Sequence, residues 1–150
     1  MNQNSIGKIT VRKAGRDDCS LVKTLYSQLT QDIENVDKDF CAILDDPNAV
    51  CLILEDETPI GMVTCYIRTS LSSGKKMVID EIIIDTPYRG KGYGRALMEY
   101  CITMAKDMGV ECVELTCSLT RQNLHRFYES MRFEHTMRLY HLFLGDEQNK

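Results

Sequence analysis

The 150-residue chain predicts an α/β (α+β) fold, a mixed and mainly antiparallel sheet with one central parallel strand–helix–strand crossover. Three observations predict it. Two apolar runs of strand length, Ala49 to Leu54 (AVCLIL) and Ile60 to Arg68, flank a turn at Glu55 to Pro59, the pattern of a hairpin. A strand pattern over Met77 to Asp85, a strong helix pattern over Gly92 to Met108 and a strand pattern over Val110 to Cys117 follow in that order. That unit can close as a parallel pair only through a crossover, and such crossovers are almost always right-handed.

The remaining elements fit around this frame. Ile6 to Lys13 alternates at Ile9 and Val11 and reads as a first strand, broken at Gly15. Asp17 or Asp18 then caps a helix whose apolar face carries Leu21, Val22, Leu25 and Leu29. A short second helix covers Asp37 to Leu44 and stops at the turn DDPN. Thr69 to Lys76 reads as a loop. In the Gly92 to Met108 helix, Leu97, Cys101, Met104, Ala105 and Met108 recur at helical spacing, and Gly109 ends it. A last helix spans Arg121 to Met131 with Leu124, Phe127, Tyr128 and Met131 turned inward. Phe133 to Leu144 is expected as a long closing strand. The expected organisation is one domain over residues 1–145, with 146–150 (DEQNK) a solvated, flexible tail.

Composition narrows the function. An apolar share of 43% can fill a core, and a net charge of −4 argues against a nucleic-acid partner, which needs a basic footprint. It leaves room for a locally basic pocket. The seven cysteines form no CxxC pair and no Cys–His cluster at ligand spacing, so no metal site is expected. Most lie in apolar stretches and read as buried thiols of a reduced protein. The opening MNQNSIGKITV lacks the long apolar stretch of a signal peptide, and no apolar run approaches the roughly 20 residues of a membrane span. The expectation is a cytoplasmic protein without a membrane partner.

The richest stretch is IDEIIIDTPYRGKGYGRALMEY, from Ile79 to Tyr100. Gly90, Gly92 and Gly94 sit among Arg89, Lys91 and Arg95, between the end of a strand and the start of a helix. The first amides of a helix lack intrahelical partners and lie at the positive end of its dipole. Glycines allow positive φ and let an anion approach those amides. The turn therefore suits a phosphate or pyrophosphate. It is no Walker A loop, which requires GxxxxGK[ST]. It is no dinucleotide fingerprint either, because Arg95 stands where GxGxxG needs its last glycine.

Arg89-Gly90-Lys91-Gly92-Tyr93-Gly94 resembles the [RQ]xxGx[GA] signature of the GNAT superfamily of acyl-CoA-dependent N-acyltransferases. The preceding Ile82-Ile83-Ile84-Asp85-Thr86-Pro87-Tyr88 looks like that family's fourth strand and its lead into the loop. His125 to Phe133 (HRFYESMRF) is similar to the family's later helix, where FYExxGF is common. The element order matches as well, so the resemblance covers nearly the whole chain and implies a GNAT-like fold.

The resemblance implies N-acetylation of an amine on a small molecule or peptide, with acetyl-CoA (coenzyme A) as the acyl-donor substrate and direct attack in a ternary complex. It implies a pyrophosphate site on the amides from Arg89 to Gly94 reaching towards Arg95, and pantetheine contacts from the backbone of Ile82, Ile83 and Ile84. It implies Tyr128 as the acid that protonates the leaving thiolate, a role suited to a phenol protonated at neutral pH. It points to Glu81 as base or as an anchor for the substrate ammonium. Asp80 is its neighbour on the opposite face, and Glu114 is the reserve candidate. Asn123 stands two positions from the usual family asparagine, where this chain has Arg121, and is a cofactor contact by analogy. His125 reads as a surface histidine, and Cys117 lacks a base beside it in sequence.

Arg132 replaces the family's usual glycine, the αL cap of the last helix, and so implies local strain. Asp32, Glu34 and Asp37 read as a solvated face, with attraction of a cationic amine the competing reading. The final strand or its helix offers a surface for a homodimer. A non-catalytic acyl-CoA-binding or regulatory module is the competing functional class.

Overall fold

The computed structural model describes residues 8–145. The chain divides into two units, residues 1–115 and 116–150.

The first unit is built on a five-stranded sheet in sequence order: β1 (Thr10–Lys13), β2 (Ala49–Asp56), β3 (Thr58–Ser70), β4 (Gly74–Ile84) and β5 (Cys112–Leu115). The first three pairings are antiparallel and β4–β5 is parallel. The parallel pair is bridged by α3 (Tyr93–Asp107), as the strand–helix–strand pattern requires. Before the hairpin, a 3₁₀ turn (Arg16–Asp18) leads into α1 (Cys19–Tyr26), and α2 (Val36–Asp45) follows.

Side-chain alternation decides which helix meets which face. Cys51, Ile53, Met62 and Ile83 point to one face and pack with Val22 and Leu25 of α1 and Phe40 of α2. Cys65 points to the other face, where its thiol meets Cys101 of α3. Leu97, Met98, Cys101 and Ala105 are buried along α3. The sheet is thus covered on both sides, which is why β2 and the middle of β3 read as continuous apolar runs.

Several boundaries differ from the expected ones. Thr69 to Lys76 is no loop: β3 runs to Ser70, β4 starts at Gly74, and only 71–73 connect them. The polar residues at these strand ends hid the ladder, although Lys76 is buried within it. The start of the first expected strand, Ile6 and Gly7, lies outside the described residues, as does the tail at 146–150. All seven cysteines are free thiols.

The second unit carries α4 (Gln122–Ser130). The closing strand expected over Phe133 to Leu144 is absent: these residues form neither helix nor strand. Alternation alone cannot make a strand, whose amides need a neighbouring edge, and α4 is the one regular element described in this unit. α4 ends in a Schellman motif. Arg132 N–H donates to Glu129 O at 2.9 Å and Phe133 N–H to Tyr128 O at 3.0 Å. The Phe133 and Tyr128 rings lie 5.9 Å apart, edge to face, as the apolar contact of that motif. Arg132 sits at φ +69°, so the glycine conformation is kept without the glycine.

Candidate active site

Glu81 owes its position to a defect in the sheet. From Ser70–Gly74 to Cys65–Ile79 the β3–β4 register is regular, but the next pair is Thr64–Glu81, leaving Asp80 as an extra residue on β4. A β-bulge of this kind reverses the alternation beyond it. Met77 and Ile79 therefore share the α3 face with Cys65, whereas Glu81 and Ile83 share the α1–α2 face with Thr64 and Met62. In a regular strand Glu81 would point at α3. In the sequence Asp80-Glu81 is an acidic pair within the run 77–84, but nothing there says which of the two the bulge sets aside.

Thr64 is buried and holds Glu81 at two points. The Glu81 N–H donates to Thr64 Oγ1 at 3.1 Å, and the Thr64 hydroxyl donates to Glu81 Oε2. Burial pushes the Glu81 carboxyl above the usual carboxylate range, the Thr64 hydroxyl pulls it back, and the charge of Asp80 adds to the rise. Tyr26 of α1 is raised by its own burial and then by Glu81, Asp32 and Asp39. The acidic residues of the α1–α2 region thus act on a tyrosine of the Glu81 side. Asp37 instead takes Lys23 Nζ at 2.9 Å.

The same strand changes character along its length. β5 pairs β4 only from Lys76 to Ile79. From Asp80 to Ile84, β4 has β3 on one side and no described strand of its unit on the other. Ile82, Ile83 and Ile84 lie on this open edge.

The glycine turn follows directly. A 3₁₀ turn (Thr86–Tyr88) with Pro87 brings the chain to Arg89, and Gly90 and Gly92 take φ +75° and +91°. Gly92 is the N-cap of α3 and, having no side chain, leaves the first amides of a 15-residue helix uncapped. Tyr93 is buried and donates its hydroxyl to Asp56 Oδ2 at 2.5 Å, which ties the turn to the β2–β3 hairpin. Lys91 Nζ lies 5.8 Å over the Tyr88 ring. Gly94 and Arg95 form the first turn of α3.

Arg89 is turned towards the protein. Its Nε donates to Ile84 O at 2.7 Å and its Nη2 to Gln28 Oε1 at 3.2 Å. Gln28, just past α1, also accepts from Thr86 N–H at 3.1 Å and donates to Asp85 Oδ1 at 2.7 Å. One amide side chain therefore braces the entry to the glycine turn. Sequence reading missed Gln28, Asp56 and Thr64, because polar partners brought together by tertiary structure have no spacing pattern.

In the second unit, Tyr128 packs edge to face on Phe127 and Phe133, with ring centroids 5.3 and 5.9 Å away. Burial raises its phenol above the ordinary tyrosine value, Cys117 adds to the rise and Arg121 opposes it. The phenol is thus fully protonated at neutral pH. Asn123 is exposed in the first turn of α4, on an open depression of about 370 Å³ lined by Thr120 to Leu124. His125 Nε2 is 2.8 Å from Ser118 O, a local loop contact. Burial raises the Cys117 thiol, so it is a poorer nucleophile than an ordinary cysteine. Glu114 takes Lys76 Nζ at 3.0 Å and Arg68 Nη2 at 3.8 Å, and is occupied as an ion-pair partner.

The described geometry thus sets a turn suited to an anion beside an open strand edge, with the half-buried Glu81 on that strand. The acetyltransferase (GNAT) family profile matches residues 19–133. The chain belongs to that family. It is thereby placed among the acyltransferases.

Three relatives give the scale of the similarity. The uncharacterized N-acetyltransferase YhdJ of Bacillus subtilis is 36% identical over 61 residues, 41% of this chain and 43% of that protein. The match thus spans under half the length of that relative. The aminoalkylphosphonate N-acetyltransferase of Salmonella typhimurium is 28% identical over 123 residues, 79% of this chain and 80% of that protein. The solved structure of glucosamine-6-phosphate N-acetyltransferase from Arabidopsis thaliana superposes with a TM-score of 0.72 at 22% identity, covering 92% of this chain and 99% of that one. The fold is that of the GNAT acetyltransferases.

Among the described residues no helix is long and apolar enough to cross a membrane, and no cluster of His, Cys, Asp and Glu could hold a metal ion.

Proposed function

We propose that the protein is an N-acetyltransferase that moves the acetyl group of acetyl-CoA onto a primary amine of a small molecule or peptide. The observation that carries this reading is the turn from Arg89 to Gly94. It presents two left-handed glycines and the uncapped start of α3 beside the open edge of β4. A diphosphate fits unpaired amides at a helix start, with Lys91 and Arg95 adding charge. A pantetheine arm carries amides and can lie along Ile82 to Ile84 as an added strand. The acceptors in the relatives' names, an aminoalkylphosphonate and glucosamine 6-phosphate, are both amines.

In this reading the family resemblance supplies the roles of both Glu81 and Tyr128, and the family match spans residues 19–133. The acceptor arrives as an ammonium and must lose a proton before its nitrogen has a lone pair. Glu81, with its carboxyl raised by burial, takes that proton directly or through water. The nitrogen attacks the thioester carbonyl carbon, a backbone N–H of β4 stabilises the oxyanion, and the carbon–sulfur bond breaks. Tyr128 gives its proton to the departing thiolate, the surplus proton on the new amide nitrogen is released to solvent, and the Glu81 proton returns to the Tyr128 phenolate through solvent. Free thiols throughout the chain suit a reducing cytoplasm.

The test is acceptor-dependent release of coenzyme A thiol from acetyl-CoA across aminoalkylphosphonates, amino sugars, polyamines, aminoglycosides and peptide N-termini. At least one acceptor should raise release well above the rate without acceptor. Tight acetyl-CoA binding with no acceptor-dependent release across the panel would identify a binding or regulatory module instead.

A further inference from the structure

Thr64 is unusual in its surroundings: the middle of β3 is Ile60, Met62, Val63 and Cys65, all buried, and the one hydroxyl among them is spent on Glu81. We propose that Thr64 is a positioning residue for proton transfer, holding the Glu81 carboxylate in its ionised, proton-accepting orientation on the α1–α2 face of the sheet. The proposal rests on the reading of Glu81 as the base.

An ionised Glu81 can only accept, which sets the sense of the hydrogen bond. Thr64 Oγ1 accepts the Glu81 N–H, so the hydroxyl proton is directed away from that amide and onto Oε2 of the same residue. Main chain and side chain of Glu81 are thereby held by one atom, at the step where the bulge sets Asp80 aside. An O–H donated to a carboxylate strengthens when the carboxylate is charged. Thr64 therefore opposes the desolvation that raises Glu81 and favours its protonated form, which cannot accept the amine's proton.

The other titratable groups around Glu81 do not supply this. Asp80, beside it on β4, raises it further. Tyr26 from α1 is itself raised, and Cys51 from β2 is pushed up to about 12, so both are neutral at working pH. Asp32 and Asp39 act on Tyr26. The stabilising contact that remains is the hydroxyl.

Two measurements separate this proposal from the one beneath it. In protein labelled with ¹³C at glutamate side-chain carboxyls, the resonance lost in Glu81→Gln identifies Glu81, and its titration is followed by NMR. Thr64→Val should raise its midpoint by roughly one pH unit, and Thr64→Ser should restore it. Thr64→Ala serves as a second hydroxyl-free variant if valine disturbs folding. An unmoved or lowered midpoint in a folded hydroxyl-free variant overturns the proposal.

With 2-aminoethylphosphonate or another active acceptor from the panel, the acid limb of kcat/KM should move up with the NMR midpoint in Thr64→Val. KM for acetyl-CoA should stay within about twofold. A Glu81→Gln enzyme with wild-type rates would sink the base assignment and Thr64's role with it. A Glu81→Gln enzyme that is dead beside a Thr64→Val enzyme with an unmoved limb would sink the Thr64 proposal alone.

Discussion

The two halves of β4 differ in pairing, burial and charge. From Lys76 to Ile79 the strand is paired on both sides, by β3 and β5, and Lys76, Met77 and Ile79 are buried. From Asp80 to Ile84 it is paired on one side only, carries the bulge, and holds a carboxylate raised by burial. The first half satisfies its backbone within the sheet and stabilises the fold. The second leaves edge groups and a displaced charge, which a fold alone does not need. The difference teaches where to look: a strand that stops being good structure partway along is a candidate site.

The strongest way to break the comparison is Glu81→Gln. On the proposed mechanism kcat falls by about 10²–10⁴, the usual worth of a general base, with KM for acetyl-CoA little changed. Stability should move the other way. A carboxyl raised in the folded state binds its proton more tightly there than in the unfolded chain. Stability therefore falls as pH rises from the ordinary glutamate value through the raised one, and the loss persists above it. Glutamine removes that loss, so Tm at pH 7 should exceed the wild-type value and the two proteins should converge near pH 4. A variant both inactive and less stable at neutral pH would erase the contrast between the halves.

The turn that the second half feeds comes next. Gly92 stands at φ +91°, and Gly92→Ala strains the αL N-cap by about 1–2 kcal/mol while placing a methyl group where an anion would approach. The dissociation constant for acetyl-CoA, read by calorimetry, should rise about 10-fold or more. Lys76→Met probes the paired half. It removes a buried cation from Glu114, but Glu114 is 40% exposed and keeps Arg68, so the loss should be about 1 kcal/mol in chemical denaturation. Its kcat should match wild type. A turnover defect in Lys76→Met would mean that the paired half also serves the chemistry.

How much of this was legible in the sequence follows from what each element depends on. The parallel unit of β4, α3 and β5 was readable because periodicity and punctuation are local, and α3 was expected to within a residue at each end. The glycine turn was readable because φ > 0 at Gly90 and Gly92 demands a residue type. The strand expected over Phe133 to Leu144 was misread because pairing is a property of two segments, and alternation reports on one. The face on which Glu81 stands needed the bulge, which shows only in register. Thr64 and Gln28 needed tertiary contacts. Local geometry was on the page from the start, and partnership was not.

The smallest expected effect concerns two helix ends that close the same way with different residues. α3 ends with Gly109 at φ +71°, Gly109 N–H donating to Lys106 O and Val110 N–H to Ala105 O. α4 ends in the same Schellman arrangement with Arg132 at φ +69°. A side chain in that region costs about 1–2 kcal/mol, whereas glycine loses about 0.5–1 kcal/mol more chain entropy on folding. Arg132→Gly should therefore stabilise the protein by about 0.5–1 kcal/mol, seen as a raised denaturation midpoint with an unchanged m-value. The two halves of β4 set the terms for reading its activity. If strain is tolerated where a residue serves the site, the more stable variant should bind acetyl-CoA more weakly, since a cation beside the last helix has been lost. Equal affinity in a stabilised Arg132→Gly protein would instead mark this end of α4 as plain structure, like the paired half of β4.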